Sequence, residues 1–251
     1  MNYSRPIVLS IAGFDPCGGA GVLADVKTFE QHQCLGMAIN TSITNQTEDY
    51  FISVNWFSVD DIINHIKTLT DKYTIDYVKI GIIENLDTLY KVVSFLKQKN
   101  NDVKIIWDTV LSASTGFSFI DNLDKTKLID VLKNIYLITP NTNEAKKLSG
   151  IFDEKEAATY LSNYCNVLLK GGHSKEHEGV DFLFSNNQIV EIKKQTTKDV
   201  SPKHGSGCIL SSAIVANLAL GNDLETACIK SKQYIETILT SNNNLLAYHV
   251  A

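Results

Sequence analysis

No stretch of eighteen apolar residues occurs in the 251-residue chain, so nothing in it reads as a bilayer-spanning helix. The opening MNYSRPIVLSIAG reaches a glycine too soon to serve as a secretory signal, and a cytoplasmic location is expected. A basic block is also missing. The 23 lysines and arginines stand against 28 acidic residues, net charge −5, which excludes a groove built on neutralising nucleic-acid phosphates but leaves room for a locally positive pocket. Cysteines 17, 34, 165, 208 and 228 are odd in number and lack C-x-x-C spacing, so neither a disulfide framework nor a zinc knuckle is implied. Neither G-x-x-x-x-G-K-[ST] nor G-x-G-x-x-G follows a strand-like run, which sets aside P-loop NTPases and dinucleotide-binding dehydrogenases. Linkers, repeats and low-complexity tracts are absent, and residues 1–251 read as one domain.

What is present is an alternation of short β-branched runs with longer segments of helical period, the pattern of an α/β layered domain. Ile7 to Ala12 reads as a strand, the GFDPCGGAG segment from Gly13 to Gly21 as a glycine loop, and Val22, Val26 and Phe29 as the buried face of a helix. Ser58-Val59-Asp60-Asp61 is a helix start resembling a capping box, ahead of Ile62, Ile63, Ile66 and Leu69. Buried parallel strands are expected at Tyr77–Ile80, Val103–Trp107, Tyr136–Ile138 and Val167–Leu169. Residues 180–192 predict a hairpin turning at Ser185-Asn186-Asn187-Gln188, and hence an antiparallel edge. Two long helices follow, Gly207–Leu220 and Leu224–Leu239, the first apolar nearly all round and therefore buried.

In an open parallel sheet the ligand lies beyond the carboxyl ends of the strands, so the residues there carry the chemistry. The first glycine loop allows close backbone approach, with Asp25 one turn into the next helix. Asp108 ends another strand. Asn141 and Glu144, three apart at a helix start, offer oxygen ligands to Mg²⁺ or its waters, and serve equally well as N-cap and capping-box partner. Lys170-Gly171-Gly172-His173 sets a cation beside flexible backbone. His173 and His177 have metal-like spacing, but the glycines around them favour a polar loop.

His204-Gly205-Ser206-Gly207-Cys208 leads straight into the apolar helix. The unpaired N–H groups and the dipole of such a helix start favour an anion. Cys208 lies in the first turn, where the same field is expected to lower a thiol pKa and make a base; a small buried core residue is the alternative.

Taken in order, Ser10 to Pro16, Gly18 to Gly21, Ala24 to Phe29, Val78 to Gly81, Trp107 to Val110, Thr139-Pro140-Asn141 with Glu144, Lys170 to His173 and His204 to Cys208 resemble the ribokinase-like superfamily. Within it they are similar to the hydroxymethylpyrimidine and phosphomethylpyrimidine kinases of thiamine biosynthesis. The resemblance implies a three-layer αβα sandwich with a mostly parallel central sheet, a homodimer, and magnesium-dependent phosphoryl transfer from ATP. The implied acceptors are 4-amino-5-hydroxymethyl-2-methylpyrimidine and then its monophosphate. It assigns Gly205, Ser206, Gly207 and Cys208 to an anion hole with Cys208 as base. It assigns Gln46, Gly13 and Ala20 to the pyrimidine pocket, to which Asp25 is added as a candidate. Asn141, Glu144 and Asp108 go with magnesium and phosphates, and Lys170 with phosphate. Ser112–Phe117 matches a flap that closes over substrate.

The chain departs from the family pattern at Gln46-Thr47-Glu48, at Ser206, and at Phe14 and Cys17, where Thr or Ser is common. The chain ends soon after its last helix, and no fused synthase module is expected. A pyridoxal or pyridoxine kinase on the same scaffold is the nearest alternative, and a nucleotide-binding protein that has lost catalysis is the alternative of another class.

Overall fold

The computed structural model describes residues 4–112, 119–120, 123–171, 179–198 and 200–249. The chain begins with β1 (Ile7–Phe14), α1 (Gly21–Gln31), β2 (Leu35–Gln46), β3 (Phe51–Trp56), α2 (Val59–Thr70), β4 (Tyr77–Ile80), α3 (Leu86–Lys99) and β5 (Lys104–Trp107). It continues with α4 (Lys125–Leu132), β6 (Leu137–Ile138), α5 (Thr142–Ser149), α6 (Glu154–Ser162) and β7 (Asn166–Leu169). The hairpin β8 (Asp181–Ser185) and β9 (Gln188–Ile192) and the helices α7 (Ser206–Ala219) and α8 (Leu224–Leu239) complete it.

Among the described residues, nine strands join one sheet in the order β3-β2-β1-β4-β5-β6-β7-β8-β9. The pairs from β2 to β7 are parallel. The pairs β2·β3, β7·β8 and β8·β9 are antiparallel. The expected antiparallel edge at residues 180–192 is therefore present, and its turn residues Asn186 and Asn187 both have positive φ, as a two-residue hairpin turn requires. A second antiparallel edge, β2·β3, was not anticipated. The first strand also runs two residues past Ala12 into the glycine segment.

Alternation along the strands produces three layers. Leu9, Ile105, Trp107, Ile138 and Val167 point to one face and pack with α2, α3, α4, α5 and α6. Val8, Ile106, Leu137 and Leu168 point to the other and pack with α1, α7 and α8. α7 is apolar around its circumference because it is buried on nearly every side; residues 209–218 are all buried. It packs across β1, β4 and β5. Between β1 and β4 the chain order reverses, which opens the crevice at their carboxyl ends. Among the described residues, no helix is long and apolar enough to cross a membrane.

Candidate active site

Backbone pairing continues one residue beyond the central strands and lines up the side chains that follow them. Gly81 N donates to Ile11 O, Asp108 N to Ile80 O, Thr139 N to Trp107 O, and Lys170 N to Pro140 O. Asp108, Thr139 and Lys170 are thereby brought to one end of the sheet, beside the start of α7.

Two glycine loops meet there. Asp15 organises the first: its Oδ1 accepts from the Cys17 amide, and its Oδ2 from the amides of Gly19 and Ala20 and from His204. Burial alone would raise its pKa, but the bonds from His204, Cys17 and Ala20 outweigh that and hold it at about 2. Gly205, the N-cap of α7, has φ of +75° and lies against this loop. No side chain caps α7, and among its first amides that of Ser206 donates to Lys203 O at 3.3 Å. Gly207 lies beside Lys170, and a Cβ there would stand 3.3 Å from the ammonium. The start of α7 and Lys170, both expected to hold phosphate, are thus neighbours.

Lys170 Nζ donates to Asp108 Oδ1 at 3.2 Å and lies 3.9 Å from Glu144. Burial would lower the lysine pKa, yet Asp108 and Glu144 carry it up to about 12, so it stays charged. Asp108 is fully buried and also accepts from Thr139 and Ser211. Burial raises its pKa, but Lys170 and Lys79 bring the net shift downward. Asn141 and Glu144 form a reciprocal capping box on α5, and Thr109 adds a further bond to Glu144 Oε2. Both sequence readings of this pair are compatible with the geometry, because Oε1 of Glu144 makes no hydrogen bond to any other described residue. Two carboxylates around one ammonium leave net negative charge, which suits a hard dication.

Behind the start of α7 lies a buried ion pair. Lys79 Nζ donates to both oxygens of Asp25 at 2.9 Å, and Ser10 and Ser212 donate to the same carboxylate. Asp25 is therefore corrected from a pocket residue to an interior one, with no exposed surface and each oxygen accepting two bonds. Burial would lower the Lys79 pKa; Asp25, Cys208 and Asp108 raise it instead. Ser211 and Ser212, one turn past Cys208, tie α7 to Asp108 and Asp25, each carboxylate paired with a lysine. This cluster escaped the sequence reading, although a lysine inside the apolar run Tyr77–Ile80 was a signal that a buried partner must exist.

Cys208 lies in the first turn of α7, partly accessible, so it is neither sealed in the core nor far from the crevice. The expected lowering of its pKa is not found. Burial pushes the thiol up to about 11; Lys79 and the Gly21 amide favour the thiolate, but Asp108 and Asp25 oppose it. The lysine charges are already committed to carboxylates, which is why they fail to ionise the sulfur.

Gly13 sits at the end of β1, where a Cβ would strike Ile82 Cδ1 at 2.4 Å and Ser42 Oγ at 2.7 Å. Ala20 is half-buried beside Gly205. Gln46, the last residue of β2, is half-buried, and its amide makes no hydrogen bond to another described residue. Of the flap, residues 113–117 lie outside the described residues, as do Gly172, His173 and His177. Downstream of the flap, Phe119 makes edge contacts with Phe51 and Trp56, joining that segment to β3.

Comparison with known proteins identifies the family. Residues 15–251 match the family model described as phosphomethylpyrimidine kinase. The hydroxymethylpyrimidine/phosphomethylpyrimidine kinase of Aquifex aeolicus is 32% identical over 247 residues, covering 95% of this chain and 96% of that protein. Among solved structures, the phosphomethylpyrimidine kinase of Clostridium difficile 630 superposes with a TM-score of 0.78 at 30% identity, over 92% of this chain and 98% of the other. An ADP complex of Bacillus subtilis pyridoxal kinase superposes with a TM-score of 0.83 at 28% identity, over 98% of both chains.

Proposed function

The chain belongs to the phosphomethylpyrimidine kinase family, and from that premise we propose that it transfers the γ-phosphoryl group of ATP to 4-amino-5-hydroxymethyl-2-methylpyrimidine and then to the resulting monophosphate, in thiamine biosynthesis. The observation that carries this reading is the uncapped start of α7, with the Lys170 ammonium beside Gly207 and Cys208 in the first turn. Preorganised donors of this kind stabilise charge where it develops, and phosphoryl transfer asks for little else beyond alignment.

The acceptor oxygen attacks the γ-phosphorus in line, the bond to the β,γ-bridging oxygen breaks, and ADP leaves. Amides at Gly205 to Cys208 and the charge of Lys170 hold the equatorial oxygens. Cys208 takes the alcohol proton once its sulfur is ionised; the acceptor for the second transfer is already a phosphate oxygen and needs no such step. Magnesium, when bound, neutralises triphosphate charge, and Glu144, Asn141 and the field of Asp108 are the groups suited to hold it or its waters. Gln46 can pair a donor and an acceptor with an aminopyrimidine, with Gly13 and Ala20 flanking the ring. We also read the chain as one kinase domain, cytoplasmic and homodimeric.

Pyridoxal is the second acceptor considered, favoured by the likeness to the Bacillus subtilis pyridoxal kinase. Steady-state kinetics with the pyrimidine alcohol, its monophosphate and pyridoxal, with product identification, separate the readings. Turnover of both pyrimidines is expected; turnover of pyridoxal alone, or of none, overturns the assignment.

A further inference from the structure

The first glycine loop carries a constellation that phosphoryl transfer leaves unused. Cys17 Sγ lies 3.0 and 3.2 Å from the two oxygens of Asp15, and His204 Nε2 lies 3.1 Å from Oδ2. One sulfur, one imidazole nitrogen and one carboxylate oxygen thus fall within 4.8 Å of one another. The separations are hydrogen-bond lengths, close to those between neighbouring ligands around a small four-coordinate ion. We propose that Asp15, Cys17 and His204 bind one thiophilic divalent cation of the zinc class, pinning the first glycine loop to the approach of α7.

The chemistry balances simply. The thiol proton leaves to solvent, the dication takes the place of that hydrogen and of the one shared with His204, and the imidazole binds through Nε2 with its proton on Nδ1. Asp15 keeps its bonds from the amides of Cys17, Gly19 and Ala20, which fix the carboxylate's orientation as outer partners do in metal sites. Water fills the fourth position. Thiolate with imidazole favours zinc or cobalt and gives magnesium nothing it prefers, so the ion that accompanies ATP does not compete here. Cys17 and His204 are both partly accessible, which provides a path for entry.

The probe is Co²⁺ alone, titrated anaerobically into the full chain without thiol reductants and followed by its sulfur-to-cobalt charge-transfer absorption. One equivalent should bind with that band in the wild type and in Cys208→Ser, no band should appear in Cys17→Ser, and affinity should fall at least ~10-fold in His204→Gln. Melting curves establish that each variant is folded. Absence of the band in the wild type, or its survival in folded Cys17→Ser, overturns the proposal. Because the readout is spectroscopic, it is independent of the kinase reading.

Discussion

Gly205 leans so closely on Gly19 that a Cβ on the first would lie 2.0 Å from the carbonyl oxygen of the second. The start of α7 and the first glycine loop are therefore one packed unit, built by two glycines from segments far apart in the chain. Gly205→Ala should fold less stably by at least ~1 kcal/mol, from positive φ alone, and should lose most turnover because relief of the clash separates the loops. Thermal melting with kinetics on the same preparation checks this; full activity in the variant would mean the two loops can part without harm.

The Lys79–Asp25 pair makes a stability prediction. Lys79→Met leaves a buried carboxylate without its counter-ion and should cost about 3–5 kcal/mol in denaturant unfolding. Adding Asp25→Asn removes that charge while keeping an amide for Ser10 and Ser212, so the double variant should be more stable than Lys79→Met alone. Simple additivity of the two losses would show that the charges are not coupled.

Cys208 gives a pH prediction. Its thiol is pushed up to about 11, so the basic form grows with rising pH, and kcat/KM for the alcohol should climb across pH ~6 to ~9 without a plateau. In Cys208→Asp the acceptor is a carboxylate, ionised at lower pH, so whatever activity remains should be flatter across that range. The monophosphate reaction, whose acceptor has no alcohol proton, should show the weaker dependence of the two in the wild type. Identical profiles for both acceptors would remove the base role.

Elements whose signals are local were readable before the structure. Ser58 accepts from the Asp61 amide, Asn141 and Glu144 close their capping box, and Asn186-Asn187 turns the hairpin, each by interactions within a few residues. The apolar circumference of α7 likewise announced its burial. What stayed hidden depends on distant partners. Leu35–Gln46 and Phe51–Trp56 mix polar and apolar residues, and the first packs chiefly against β1 and β3 and then α1, none of which its own pattern reveals. Asp25 resembled a pocket carboxylate until Lys79, 54 residues away, was found beside it. The sulfur of Cys208 was judged from the helix field alone, whereas two carboxylates and desolvation decide its protonation.

Because α7 is wrapped by strands on one side and by α1 and α8 on others, its first turn has no freedom to wander while the interior is intact. Held in place yet uncapped, the first-turn amides of α7 should exchange hydrogen for deuterium faster in the free protein than those at the capped helix starts, and should slow when nucleotide is added. Heating should then silence the protein in a single step with collapse of its architecture, leaving no tepid interval in which a folded but slackened molecule persists.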